Sequence, residues 1–414
     1  MISVIVWYIS KLQFEISPIL VYYFHMIERD LASRLKCAAS SFPSVTVTGP
    51  RQSGKSTLCR AVFAGHEYVN LEAPDVRAFA SDDPRGFLRQ FPRGAVVDEV
   101  QRCPQLPSYL QELIDADPMP GRWILTGSQN LTLLSSISQS LAGRTAVTHL
   151  LPLARDEVRR FRDFPRDLDE VLLAGGYPRI FDQRLSPVDW LGSYVSTYIE
   201  RDVRTISNVT DLATFQRFVQ LCAGRTAQLL NISSLAADCG ISQPTAKAWL
   251  SVLEASFVTF RLPPYSANVS KRLVKSPKLH FYDTGLVCWL LGIRSVEQLR
   301  LHPLRGAVFE TWVATEIVKH RMNRGEPGGV FFFRDQRGLE ADLVVETGGR
   351  FIVVEAKVGA TPTSDMARAP RRVQEMLARI RPATAAVVYG GTAIQARSDT
   401  TILPWEAIDG REWT

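Results

Sequence analysis

The sequence predicts an α/β fold: an open parallel sheet comes first, then a helical segment, then a C-terminal α/β domain. Three observations carry this. Alternating β-branched residues, Val45-Thr46-Val47-Thr48, run into the glycine-rich loop Gly49-Pro50-Arg51-Gln52-Ser53-Gly54-Lys55-Ser56, and helix-competent residues follow. Short apolar strands ending in polar residues then alternate with helices as far as Ser128, the pattern of an open parallel sheet with ligands at the strands' carboxyl ends. Near the C-terminus two apolar strands flank Thr347-Gly348-Gly349-Arg350, whose central Gly-Gly is a strong hairpin signal.

The glycine-rich loop matches G-x-x-x-x-G-K-[ST] at every fixed position. Gly49 and Gly54 let the backbone turn so that successive N–H groups point at phosphate oxygens, and the helix N-terminus adds partial positive charge. Lys55 is placed to reach the β- and γ-phosphates, and the Ser56 hydroxyl to ligate Mg²⁺. The predicted ATP contacts are Gly49, Pro50, Arg51, Gln52, Ser53, Gly54, Lys55, Ser56, Thr57 and, farther along, Ser128. An amphipathic helix over residues 26–43, with Ile27, Leu31 and Leu35 on one face, leads into this strand.

Glu67–Leu71 is a second strand, and Ala95-Val96-Val97-Asp98-Glu99 a third that ends in two carboxylates. Asp98 can hold Mg²⁺ through water opposite Ser56, and Glu99 can orient or deprotonate the attacking water. The competing reading has the pair simply capping a loop. After a helix over residues 106–114, the strand Trp123–Ser128 places Thr126 or Ser128 as a γ-phosphate sensor or as a β-turn hydroxyl. Arg144, in Leu141-Ala142-Gly143-Arg144, is either a charge stabiliser for phosphoryl transfer or a solvent-facing arginine.

The totals bound the architecture. The chain has 414 residues, and single cores stop growing at about 250–300 residues, so at least two domains are expected. Apolar content of 46% and charged content of 22% fit a soluble globular protein. A net charge of +6 tilts the chain mildly toward polyanionic partners such as DNA or another nucleic acid. Six scattered cysteines with no C-x-x-C pair indicate neither a zinc site nor a disulfide framework, so a reducing cytoplasm is the natural setting. Residues 1–25 are apolar and aromatic, but Lys11, Glu15 and Pro18 interrupt them, and a spanning helix needs about 18 uncharged residues. They are expected to be a non-core extension upstream of a start at Met26, without stable membrane insertion; a membrane anchor is the competing reading.

From Pro152 to about Tyr265 the pattern is helical, broken at Gly175-Gly176-Tyr177-Pro178. The aromatic and charged run Trp190–Arg204 reads as packing. Asn231 opens a short helix, Gly240 ends it, and Ser242-Gln243-Pro244 caps a second; with Phe257–Phe260 this gives a helix-turn-helix with a wing. Lys247 is the only base on the second helix, so internal packing competes with DNA reading. Lys271, Arg272, Lys275 and Lys278 then form either a phosphate-tracking patch or a solvated linker.

A second constellation lies in the last third. Gly306–Arg321 reads as a helix with Glu310 beside its apolar face. Pairing Glu346 with Phe351 across the hairpin sets Asp342 opposite Glu355 and Glu340 opposite Lys357, all on one side of the sheet. Opposed carboxylates repel unless a cation intervenes. A divalent metal satisfies this, and so does a structural charge ladder between Glu340 and Lys357.

Together these motifs resemble a family. The loop with Arg51-Gln52 inside it, Val97-Asp98-Glu99-Val100-Gln101, Thr126-Gly127-Ser128, Leu141–Arg144, Tyr198-Ile199-Glu200-Arg201-Asp202, Phe281-Tyr282-Asp283-Thr284-Gly285 and Glu340-Ala341-Asp342…Glu355-Ala356-Lys357 are similar to AAA-type ATPases of bacteria and archaea. Those proteins carry a C-terminal domain of unknown function resembling restriction endonucleases. The resemblance spans about residues 26–405 and implies ATP binding with Mg²⁺, hydrolysis and a cytoplasmic location. It also aligns Glu310, Asp342 and Glu355 as metal ligands, with Lys357 as the lysine of the nuclease pattern D…(D/E)-x-K.

The expected division is an extension at 1–25, an AAA-type P-loop NTPase domain at 26–160, a helical and winged-helix-like region at 161–265, and a restriction-endonuclease-like domain at 266–414. The leading function is a Mg²⁺-dependent ATPase coupling its nucleotide state to the nuclease-like domain, with a homo-oligomer required if Arg144 acts across a subunit boundary. The alternative is a non-catalytic nucleotide-binding scaffold whose C-terminal fold only binds a partner. A small-molecule kinase ranks third, since nothing resembles an acceptor lid and a kinase has no need of Glu99.

Overall fold

The structure, a computed structural model, describes residues 27–128, 139–199, 211–265, 275–396 and 400–414. The expectations for residues 1–25, for residues 200–204 at the end of the run Trp190–Arg204, with the motif residues Glu200–Asp202, and for Lys271 and Arg272 lie outside them.

The first layer forms where the alternation of strands and helices predicts it. Helix α1 (Leu31–Ser41) leads into β1 (Ser44–Gly49), and α2 (Lys55–Val62) follows the glycine-rich loop. Then come β2 (Glu67–Asn70), α3 (Pro74–Asp82), α4 (Pro84–Arg89), β3 (Ala95–Asp98), α5 (Leu106–Ala116), β4 (Trp123–Ser128) and β5 (Thr145–His149). The five strands are all parallel, in the order β2-β3-β4-β1-β5. Every residue of β1, β3 and β4 is buried because helices cover both faces. Leu31, Leu35, Val45, Val47 and Leu58 form one core beneath α1 and α2. Phe87, Val97, Leu106, Leu110 and Trp123 form the other, against α4 and α5. Strand β4 lies between β1 and β3, so the carboxyl ends of all three open onto one edge.

The middle segment is helical: α6 (Arg155–Val158), α7 (Leu168–Ala174), α8 (Pro178–Asp182), α9 (Pro187–Tyr194) and α10 (Leu212–Ala223). Gly175, at φ 68°, ends α7, and Pro178 opens α8. After β6 (Gln228–Leu229), helix α11 (Ile232–Cys239) is capped by Asn231, which accepts from Ser234 N at 3.1 Å. Helix α12 (Gln243–Ala255) is capped by Ser242. Strand β7 (Thr259–Leu262) pairs with β8 (Lys278–Phe281), and β8 with β6, as one antiparallel sheet. The expected boundary at 265/266 therefore cuts through a sheet: Lys278 belongs to a buried central strand, where a basic patch or solvated linker was expected.

Beyond α13 (Thr284–Leu290) and α14 (Val296–Leu301), the 20-residue helix α15 (Arg305–Arg324) crosses one face of a mixed sheet. That sheet contains β9 (Val330–Arg334), β10 (Glu340–Thr347), β11 (Arg350–Lys357), β12 (Ala383–Tyr389), β13 (Gln395–Ala396) and β14 (Thr400–Pro404), in the order β13-β14-β12-β11-β10-β9. Leu343, Val345, Ile352 and Val354 pack with Phe309, Val313 and Ile317 of α15, whereas Val344, Phe351 and Val353 pack with Val373 and Leu377 of α16 (Arg368–Leu377).

The hairpin forms in the predicted register, with Glu346 opposite Phe351 and Leu343 opposite Val354. The expected facing of Asp342 with Glu355 and of Glu340 with Lys357 is corrected by a β-bulge. The ladder to β11 stops at Leu343, and on the β9 side the register shifts between Ala341 and Val344. A bulge breaks the period of two on which that facing rested. Ala341 consequently joins the core under α16 while Leu343 joins the one under α15.

Candidate nucleotide site and a buried charge cluster

The loop between β1 and α2 is shaped by backbone that only particular residues tolerate. Gly49 adopts φ 149°, and a Cβ there would sit 2.1 Å from Leu150 O. Gly54 is left-handed at φ 92° and starts α2. Gln52 takes φ 63° in the middle of the loop. Lys55 is buried and donates to Gly49 O at 3.0 Å and Pro50 O at 2.7 Å. Burial pushes its pKa down to about 8, opposed by the nearby carboxylates of Glu99 and Asp98. Ser53 Oγ is buried with no hydrogen-bond partner among the described residues.

Asp98 ends β3 and is held from three sides. Tyr68 OH donates to Oδ2 at 2.6 Å, Glu99 N to Oδ1 at 3.1 Å, and Thr126 Oγ1 to the same Oδ1. Glu99 stands in left-handed backbone at φ 55°, a conformation that costs about 1–3 kcal/mol for a non-glycine residue and concentrates at functional sites. Burial raises its carboxyl, while Lys55 pulls it down. Gln101 Nε2 bridges Glu99 Oε2 and Ser128 Oγ, the latter at 3.0 Å. Thr126 and Ser128, on the intervening strand β4, thus engage the acid pair. Arg144 is ion-paired with Asp115 of α5 at 2.5 and 2.8 Å. Any role for it in phosphoryl transfer requires that pair to open.

One residue that holds the loop was not singled out from the sequence. Arg29, buried just before α1, donates from Nη1 to Ser53 O at 2.8 Å, from Nη2 to Leu151 O at 2.9 Å and from Nε to Glu157 Oε1 at 2.8 Å. Glu157 is fully buried and also accepts from Ala154 N at 2.9 Å. The next backbone amide, Arg155 N, donates to Glu316 Oε2 on α15 at 2.7 Å, and Glu316 pairs with Lys319 at 3.0 Å. Tyr68 and Gln101 carried no expected role either. Gln101 stands two residues after the acid pair, in the same motif, whereas Arg29 carried no local signal at all.

The second cluster gathers Glu310 on α15 with Asp342, Glu355 and Lys357 at the adjoining ends of β10 and β11. The cation that reaches Glu310, Glu340 and Asp342 together is Lys278. Its Nζ lies 2.8 Å from Glu310 Oε1, 2.7 Å from Glu340 Oε1 and 3.7 Å from Asp342 Oδ1, with only 3% of the side chain exposed. Burial opposes its charge, but Glu310, Asp342 and Glu340 hold its pKa above the ordinary lysine value. Asp342 Oδ2 accepts from Ala356 N at 2.9 Å, Lys357 pairs with Glu355 Oε1 at 2.6 Å, and Arg334 with Glu340 Oε2 at 3.1 Å. Burial and the neighbouring Asp342 push Glu310 up to about 8 and Glu355 up to about 7. Among the described residues no group of three or more His, Cys, Asp and Glu side chains is arranged to hold a metal ion. No helix among them is long and apolar enough to cross a membrane, and all six cysteines are free.

Three stretches of the chain match known families. Residues 41–159 match the AAA domain family, 165–297 a domain of unknown function (DUF8612) and 305–408 another (DUF4143). Among solved structures, the Walker-type ATPase PABY2304 of Pyrococcus abyssi is 16% identical, covers 64% of this chain and 96% of its own, and has a TM-score of 0.44. RuvB T158V of Thermotoga maritima is also 16% identical, over 57% of this chain and 90% of its own, with a TM-score of 0.31. The uncharacterized protein Rv2008c of Mycobacterium tuberculosis is 33% identical over 377 residues, 90% of this chain and 82% of the relative, and Mb2031c of Mycobacterium bovis matches to the same extent. An identity of this extent, with an AAA domain over residues 41–159, shows that the chain belongs with Rv2008c and Mb2031c to an AAA-type ATP-binding family.

Proposed function

We propose that the chain is a Mg²⁺-dependent ATPase whose nucleotide state is passed through buried polar contacts to a C-terminal domain that engages a partner. The observation that carries the hydrolytic half is the meeting of Lys55 with Asp98 and Glu99 at the carboxyl ends of β1 and β3, within electrostatic reach of one another. The residues fit the ligand. Lys55 is held by two loop carbonyls, which it would exchange for β- and γ-phosphate oxygens. Gly49 provides backbone that a side chain would block, and the Ser53 hydroxyl is buried without a partner among the described residues. Ser56 and Asp98 are the residues to hold Mg²⁺, which when bound neutralises charge across the β- and γ-phosphates. Glu99, raised by burial and steadied by Gln101, is the base or orienting group for water.

The coupling half rests on the contacts Ser53–Arg29–Glu157 and Arg155–Glu316, which lead from the phosphate loop to α15, the helix that also bears Glu310. The partner class favoured by charge is nucleic acid, with Arg368, Arg372, Arg379 and Arg381 exposed on and just after α16. Helices α11 and α12 with the β6–β8 sheet are the candidate winged-helix unit, though the outward face of α12 carries a single base, Lys247.

The test is ATP turnover by the full chain with Mg²⁺. Lys55→Ala and Glu99→Gln should each lower it about a hundredfold or more, as loss of one preorganised group at a transition state does. Wild-type turnover no faster than that of the variants would overturn the hydrolytic reading and leave the nucleotide-binding scaffold.

A further inference from the structure

We infer that Lys278 is the resident cation of the C-terminal carboxylate cluster, and that its ammonium closes this cluster to divalent metal. The inference extends the partner-binding reading of that domain and is independent of ATP hydrolysis. One oxygen of each of three carboxylates is already engaged, while Glu355 Oε2 is buried without a hydrogen-bond partner among the described residues. Lys278 takes Glu310 Oε1, Ala356 N takes Asp342 Oδ2, and Lys357 takes Glu355 Oε1. Magnesium requires near-octahedral oxygen ligands at about 2.0–2.1 Å. An ion bridging Glu310 and Asp342 would have to share their oxygens with an ammonium that lies 2.8 Å from one and 3.7 Å from the other.

Lys278 has little freedom to leave. Strand β8 is hydrogen-bonded on both edges, to β6 and to β7. The lysine side chain is 3% exposed and lies near the ring of Phe332. Moving it aside would leave a buried ammonium beside a divalent cation, and removing one partner of a buried charge set is strongly destabilising. The charge balance agrees. Four carboxylates (Glu310, Glu340, Asp342 and Glu355) face three cations (Lys278, Lys357 and Arg334), which leaves one net negative charge if all are ionised. Taking Lys278 away leaves two, the charge that a divalent ion matches.

The test is Mn²⁺ binding to the nucleotide-free full chain, followed by the electron paramagnetic resonance signal of free Mn²⁺. Wild type and Asp342→Asn should bind equal numbers of ions. Lys278→Met should gain one site, and Asp342→Asn in that background should remove it. An Asp342-dependent Mn²⁺ site in the wild type, or a folded Lys278→Met chain that gains none, overturns the inference. If Lys278→Met does not fold, the wild type and Asp342→Asn still decide it: equal stoichiometry supports the inference and a lost site refutes it. Mn²⁺-dependent oligonucleotide cleavage by the wild type that is lost in Asp342→Asn refutes it as well. ATP turnover measured on the same preparations reports separately on the phosphate-loop site.

Discussion

Lys55 illustrates how burial shifts the charge state of a single residue. With its pKa pushed down to about 8, it is mostly charged below that pH and loses its proton as pH rises through it. A triphosphate favours the charged form, so ATP affinity should be greatest below about pH 8 and weaken above it. At a pH just above that value binding should take up a proton, which titration calorimetry in two buffers of different ionisation heat would show as a buffer-dependent enthalpy. Identical enthalpies in the two buffers would contradict this account of Lys55. The residues proposed to meet ATP could be named from sequence because they form a short contiguous loop. Arg29 and Lys278 could not be placed, since each acts on partners far along the chain: Ser53 and Glu157 for Arg29, Glu310 and Glu340 for Lys278. A buried arginine or lysine reads in sequence like any solvated one.

Among the elements, α15 carries the most consequence. Its predicted span, Gly306–Arg321, lies within the observed Arg305–Arg324, and the apolar residues that gave the prediction are the ones buried against β10 and β11. The same helix presents Glu310 to Lys278 and Glu316 to Arg155 N, so displacement of α6 would be felt along it. Hydrogen exchange should therefore show ATP slowing the amides of α15 in the wild type, an effect that Glu316→Gln abolishes while keeping the side chain's volume. Exchange in α15 indifferent to ATP would rule out this route of coupling. The β10–β11 hairpin was equally readable from Gly348-Gly349. Its bulge was not: nothing in Ala341-Asp342-Leu343-Val344 announces a shifted register, which arises from pairing with β9 on the other side.

For the molecule as a whole, one apolar core runs from Leu153 through the middle helices and the β6–β8 sheet to Trp413. The middle and C-terminal parts therefore share an interior, and the phosphate-loop domain, with its two separate cores, is joined to them by the buried ion pair Arg29–Glu157 and by the packing of Leu151 against Phe257 and Tyr282. The net charge of +6 and the exposed arginines around α16 predict salt-dependent binding of oligonucleotides. Each phosphate that is no longer neutralised by a base reduces the slope of log K against log salt by about 0.9, so Arg372→Glu with Arg379→Glu should flatten it by roughly 2. An unchanged slope, or no binding at low salt, would remove nucleic acid as the partner of this surface.

Chain-local chemistry was enough to specify the parallel sheet, the phosphate loop, the acid pair after β3 and the hairpin, because each depends on periodicity or spacing within about a dozen residues. Folding in three dimensions settled the rest: which cation enters the carboxylate cluster, where the second core begins, and how the phosphate loop is braced by Arg29. Those outcomes depend on side chains brought together across long stretches of sequence, where neither spacing nor composition records the meeting.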